Sequence, residues 1–299
     1  MKEIKIAIIG MDTSHAVQLP KLMQDPETPA EIRIEGMRVT RALRFETPFQ
    51  GKAGLDEREA YLKTIGVEVT EDFDYAIGDC DALMLEINDP SLHLEYFEKC
   101  AALGKPLFLD KPFADTIENT RKIIEIGKKY NTRYFTASSL RFTVGLESVL
   151  DQKVEVTRVN TWGPLGQAAA GSSVVWYGVH TFEQLERIMG IGADTVTSIA
   201  TPAGVLCNVA YKDGRSGVVE LLNDKWTYGV TIRDDAGNGA FVTVPQKTPF
   251  YYSLMLVIRN FFLGIGNGVA IEESFEVMAL IEAAEKSLNS GKPEKVEQL

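Results

Sequence analysis

Strand-like and helix-like segments alternate through the first 137 residues, and that alternation leaves the chain few folds to choose from. Ile4–Ile9 is apolar except for Lys5 and stops at Gly10, the pattern of a strand buried on both faces and followed by a tight turn. A second strand is expected over 36–43, and a third, carrying Ala-Leu-Met-Leu-Glu-Ile, over 81–87. Leu94, Phe97 and Ala101 then share one helical face that ends at Gly104. A strand over 106–109 leads to a helix over 116–130, with Asp115 as N-cap, Glu118 reaching back and Asn131 closing the far end. Another short strand covers 133–137. Pro20 delays the expected start of the first helix, because proline suits a first turn and not a helix interior. The alternation predicts a parallel sheet covered on both faces, an α/β Rossmann-like N-terminal domain over 1–140.

Beyond Arg141 the texture changes. Strand patterns occupy 154–162, 196–211, 217–222, 226–233 and 240–244, separated by turn signals such as Lys212-Asp213-Gly214. Helical patterns are confined to 179–189, 250–263 and 273–290. Successive strands with few helices predict an α+β C-terminal domain with a large, mostly antiparallel sheet over 141–299.

Charge narrows the partners. With 42 acidic against 31 basic residues the net charge is −11, which argues against nucleic acid and against an anionic membrane surface. The most apolar later stretch, 250–264, is interrupted by Arg259 and is too short to span a bilayer. Cys80, Cys100 and Cys207 are scattered and odd in number, which suits a reducing compartment. A cytoplasmic protein acting on a small molecule is expected. No spacing of His, Cys, Asp and Glu resembles a metal site, so no metal is expected.

Asp110-Lys111-Pro112 follows the apolar run at 106–109. A lysine there points into the crevice where open α/β sheets hold ligands. This tripeptide resembles the Glu-Lys-Pro of the Gfo/Idh/MocA oxidoreductases, the relatives of glucose–fructose oxidoreductase and inositol dehydrogenase. Ser139-Leu140-Arg141-Phe142 is similar to that family's Asn-Arg-Arg-Phe. Trp176-Tyr177-Gly178-Val179-His180 resembles its catalytic helix, and Asn88-Asp89-Pro90 with His93 its segment after the third strand. The resemblance covers nearly the whole chain. It implies an NAD or NADP cofactor, a sugar, polyol or related hydroxy substrate, and self-association through the antiparallel sheet.

Departures from the family pattern carry their own expectations. In place of Gly-x-Gly-x-x-Gly the chain reads Gly10-Met11-Asp12-Thr13-Ser14-His15. Asp12 would repel a pyrophosphate unless it turns away, or else it caps the helix. Thr13, Ser14 and the first helical amides remain as anion donors, and His15 meets an anion or packs. Arg41 and Arg44 stand where an acidic residue would grip a ribose, hinting at a 2′-phosphate and so at NADP over NAD. Trp176 replaces the family's helix aspartate. Glu86, Asn88 and Asp89 are expected near the cofactor edge, together with Asp110 and Lys111.

By resemblance, His180 takes or gives the hydroxyl proton and Lys111 stabilises charge on the same oxygen. Arg141 and Tyr177 would orient substrate, with Trp176 as a flat wall. Two alternatives stay open. One is a non-catalytic binding or regulatory protein with a degenerate nucleotide turn. The other is redox-assisted hydrolysis or elimination of a glycoside.

Overall fold

The computed structural model describes residues 3–151, 155–223, 225–244 and 250–299. The chain separates into two compact units, Met1–Thr136 with Tyr251–Val269, and Ala137–Phe250 with Ala270–Leu299.

In the first unit six strands, β1 (Ile4–Ile9), β2 (Met37–Leu43), β3 (Glu68–Thr70), β4 (Ala82–Leu85), β5 (Leu107–Leu109) and β6 (Tyr134–Thr136), form one sheet. Its order is β3-β2-β1-β4-β5-β6, and every pair is parallel. Parallel pairing demands crossovers, which are supplied by α1 (His15–Gln24), α2 (Lys52–Thr64), α3 (Phe73–Ile77), α4 (His93–Ala101) and α5 (Ile117–Tyr130). Ile6, Ala7, Ile8 and Ile9 of the central strand are completely buried, as their unbroken apolar pattern required. The order reverses between β1 and β4, and a doubly wound sheet holds its ligand in the crevice at that point.

Segment 251–269 returns to this unit after the long excursion into the second, which the continuous division at 140/141 did not anticipate. Phe261 packs edge-on against Phe135, and Arg259 donates to the Glu35 carbonyl. Neither contact has a local sequence signal.

Some local expectations shift for identifiable reasons. α1 begins at His15 and carries Pro20 inside it. The ring is buried with Ala16, Leu19, Leu22 and Met23, and that burial offsets the lost backbone hydrogen bond. Thr116, not Asp115, caps α5 by accepting the Asn119 N–H, while Asp115 accepts from the Asn119 side chain. α2, α3 and the edge strand β3 went unread, because α2 buries only Leu55 and Leu62 and so has little apolar period.

The second unit holds seven strands, β7 (Arg158–Pro164), β8 (Ala193–Thr201), β9 (Gly204–Tyr211), β10 (Ser216–Leu222), β11 (Gly229–Arg233), β12 (Gly239–Thr243) and β13 (Glu294–Lys295). Their order is β12-β11-β7-β10-β9-β8-β13, antiparallel except for β7 against β10. The single stretch expected over 196–211 is the hairpin β8–β9, and Val154, expected to open β7, lies outside the described residues. Helices α6 (Val144–Leu150), α7 (Val179–Met189) and α9 (Ile271–Ser290) belong here, while α8 (Phe250–Phe262) belongs from Tyr251 onward to the first unit. α7 and α9 pack on the sheet and on each other. No helix among the described residues is long and apolar enough to cross a membrane.

One glycine decides how β1 hands over to α1. Gly10 has φ +95°, and a Cβ there would stand 2.7 Å from the Glu86 carbonyl oxygen and 2.6 Å from Ile87 Cγ1. The turn can therefore lie against the end of β4 only without a side chain. Gly10→Ala is expected to lower stability by more than ~1 kcal/mol, read as a fall in Tm with an unchanged far-ultraviolet dichroism spectrum at low temperature. An unchanged Tm would show that the backbone contact is not required.

Candidate active site

The residues that follow β1, β4 and β5 meet at one edge of the first unit's sheet. Asp12, two residues past Gly10, neither caps α1 nor faces solvent. Its carboxylate accepts the backbone N–H of Asn88 at 2.7 Å and of Asp89 at 3.2 Å, and the Thr47 hydroxyl at 2.8 Å. It thus staples the first turn to the segment after β4. Thr13 Oγ1 accepts the His15 N–H, while Ser14, the N-cap of α1, is exposed and makes no side-chain cap. His93 reaches the carbonyls of Ile87 and Phe113, bracing the β4 and β5 ends together.

The imidazole of His15 lies in the position of the expected third glycine. Its Nδ1 is 2.6 Å from Asp110 Oδ2 and 4.0 Å from Glu86 Oε2, and Tyr251 packs edge-on against the ring at 4.9 Å. Asp110 Oδ1 accepts the N–H of Lys111, so one carboxylate links the first helix to the residue expected to be catalytic. Lys111 is only 4% exposed, and Glu86 is 0% exposed with no hydrogen-bond partner for either carboxylate oxygen.

Burial dominates the electrostatics. It pushes Glu86 well above the ordinary carboxylate range, and neighbouring Asp110 adds to the rise. Burial also raises Asp12, against the opposing hydrogen bonds from Asn88, Thr47 and Asp89. At Asp110 burial pulls upward too, yet His15 and Lys111 outweigh it and the carboxyl ends below its usual value. The Lys111 ammonium is lowered by burial despite Asp110, Glu86 and Asp12 around it. A lysine desolvated in this way is poised for proton or charge work at its ammonium.

In the second unit the residue that organises the candidate group is Ser138. Its Oγ lies 2.7 Å from His180 Nδ1 and accepts the Leu140 N–H, while its own N–H donates to Glu183. His180 is buried in α7, and Tyr177 stands edge-on to it with ring centroids 5.0 Å apart. Trp176 and Tyr177 lie half-buried in the single π-helical turn Val174–Gly178, a distortion that often marks functional segments.

Arg141 is the clearest departure from expectation. It was expected to orient substrate, but the side chain is buried and engaged by Glu183, Glu186 and Glu273. Three carboxylates surround one guanidinium, so its charge is engaged within the protein. Burial lifts Glu183 to about 7 and Glu186 to about 7, with Arg141 opposing the rise in each. Arg41 and Arg44 are likewise committed. Arg41 pairs with Glu68 and stacks on Tyr75, and Arg44 pairs with Asp56 and Glu59.

Of the residues singled out from the sequence, Gly10, Asp12, His15, Glu86, Asn88, Asp110 and Lys111 come together in the first unit. Tyr177 and His180 come together in the second. Ser138, Glu183, Thr47 and Tyr251 went unnoticed; only Ser138, adjoining Ser139-Leu140-Arg141-Phe142, lay near a usable signal. The expectation of no metal constellation also meets a counterexample, because His15, Glu86 and Asp110 offer ligand atoms within 4.8 Å of one another. Spacing rules miss it because His15 and Asp110 are 95 residues apart.

The strand order β3-β2-β1-β4-β5-β6 is that of the doubly wound sheets that hold ligands at their switch point. Residues 4–138 match the family described as an oxidoreductase family with an NAD-binding Rossmann fold. Over those residues, less than half of its length, the chain is similar to the Gfo/Idh/MocA family. It is 25% identical over 138 residues to the uncharacterized oxidoreductase YhhX of Escherichia coli, a match spanning 42% of this chain and 40% of the relative's length. Among solved structures, a myo-inositol dehydrogenase of Corynebacterium glutamicum superposes with TM-score 0.79 at 12% identity, covering 99% of this chain and 100% of that one. An oxidoreductase of Agrobacterium radiobacter, solved with NAD+, L-tartaric acid and magnesium, gives TM-score 0.76 at 14% identity, covering 99% of each. At those identities the likeness concerns the fold.

Two outcomes follow from this geometry. Asp12→Ala strands the backbone donors of Asn88 and Asp89, the second of them buried, and is expected to cost about 1–3 kcal/mol, measured by chemical denaturation; a loss within error would show that water replaces the carboxylate. The second concerns pH. Glu183 and Glu186 titrate higher in the folded than in the unfolded chain, so between about 4.5 and about 7 the unfolded state has released protons that the folded state keeps. Stability from these groups therefore falls as pH rises through that window. Glu183→Gln is expected to show a smaller Tm difference between pH 5 and pH 8 than the wild type. An equal difference would remove Glu183 from the titration.

Proposed function

We propose that the chain is an NAD(P)-dependent oxidoreductase transferring hydride between a nicotinamide and a sugar, polyol or related hydroxy compound. The observation that carries this reading is the burial of Lys111, whose backbone N–H donates to Asp110 at the end of β5, on a sheet that matches an NAD-binding Rossmann family. The inositol dehydrogenase and the tartrate-bound oxidoreductase among the similar structures support a hydroxy compound as substrate class.

When bound, the nicotinamide accepts or supplies hydride at C4. The chain's own residues manage the proton and the charge. In the oxidation direction His180 takes the hydroxyl proton at Nε2, and its Nδ1–H donates to Ser138 Oγ. Lys111 donates to the reacting oxygen and stabilises the negative charge that grows there. Asp12 spends its charge inside the protein, so it does not confront a pyrophosphate held at the start of α1. Tyr177 and Trp176 supply apolar surface for a ring. Arg41 and Arg44 give no support for a 2′-phosphate once they are paired with carboxylates, so NAD(H) is the better fit.

Calorimetric titration with NAD+, NADH, NADP+ and NADPH tests the reading. Binding of NADH or NAD+ with a weaker NADP pair is the expected result. No binding of any of the four would favour a non-catalytic protein on the same scaffold, for which the altered glycine turn speaks. In a screen of polyols and sugar acids, Lys111→Ala should retain NADH binding and lose turnover by about 100-fold or more, since oxyanion donors act mainly in the transition state. Full turnover in that variant would clear Lys111 of its role.

A further inference from the structure

We infer that His15, Glu86 and Asp110 form a binding site for one divalent transition-metal ion, with imidazole Nδ1 and one oxygen of each carboxylate as donors. The three donor atoms lie within 4.8 Å of one another, and all three residues are buried. Ligands in a tetrahedral zinc site stand about 3.4 Å apart at bond lengths of about 2.1 Å. Opening the 2.6 Å His15–Asp110 separation and closing the 4.0 Å His15–Glu86 separation each requires a shift of less than about 1 Å.

Glu86 provides the independent observation. A carboxyl group with zero exposure is ordinarily hydrogen-bonded, ion-paired, protonated or bound to a metal. Neither oxygen of Glu86 has a hydrogen-bond partner, and one of them faces the His15 nitrogen.

The donors are held as a metal site requires. Each comes from a different rigid junction, the start of α1, the residue after β4 and the residue after β5. Asp110 Oδ1 already accepts the Lys111 N–H, which orients Oδ2 toward the ion, and Tyr251 packs against the His15 ring. One nitrogen with two carboxylate oxygens suits Zn2+, Co2+ or Mn2+ better than soft cuprous ion. Three protein ligands leave at least one position open for water or an oxygen-bearing ligand. The inference does not depend on hydride transfer and is tested without a substrate.

The full-length chain, stripped with chelator, is titrated with Co2+ while the visible d–d bands are followed, and Zn2+ is then added in competition. One equivalent bound, displaced by one equivalent of Zn2+, is the expected result, with affinity reduced about 10-fold or more in Glu86→Gln and in Asp110→Asn. No d–d band, or equal binding by the wild type and both variants, would overturn the site. Should either variant fail to fold, X-ray absorption on the cobalt complexes of the wild type and His15→Gln decides. Loss of one imidazole from the shell supports the site, and an unchanged shell refutes it.

Discussion

Strands that run parallel must all finish at the same edge of their sheet, and the functional half of this protein depends on that constraint. β1, β4 and β5 are adjacent, so the residues that follow them share one crevice whatever their separation along the chain. Gly10 lets the first of these turns touch the second, and Asp12 fastens the contact by accepting two backbone hydrogen bonds, with a third from Thr47. His93 does the same between the second and third. Each brace runs from a side chain to backbone atoms of the neighbouring segment.

Into that rigid edge the chain places more charge than a Rossmann turn usually carries. Asp12 and His15 stand at the two positions where the fingerprint has glycine, and both turn inward. Inward carboxylates need compensation, since desolvation of a charge costs more than any single contact returns. Here the compensation is collective. His15 and Lys111 hold Asp110 ionised, Asp110 accepts the Lys111 backbone N–H, and burial beside Asp110 pushes Glu86 toward its neutral form. The loss of the glycines is therefore a reorganisation of the turn with its own internal partners.

The second unit solves a different problem with similar means. α7 is buried along nearly its whole length, and it carries two glutamates into that burial. Arg141 pairs with both of them and with Glu273, which fixes α7 to the segment before α6. Ser138 then sets the ring of His180 from the same segment. An arginine that resembles a substrate ligand in sequence is thus a structural ion, and it holds the helix on which the histidine stands.

Local pattern carried much of this in the sequence. The apolar runs of β1, β4 and β5 announce a parallel sheet because a strand buried on both faces has no polar alternation to hide. Asp110-Lys111-Pro112 and the turn from Gly10 to His15 could be located as site material because they directly follow such runs. What each side chain does there was settled only by tertiary contact. Asp12 binds amides 76 and 77 residues away, His15 meets Asp110 across 95 residues, and Arg141 finds Glu273 across 132. A residue's type states which hydrogen bonds or charges it can offer. Which partner takes them depends on what the folded chain brings within a few ångströms, and no spacing rule encodes that.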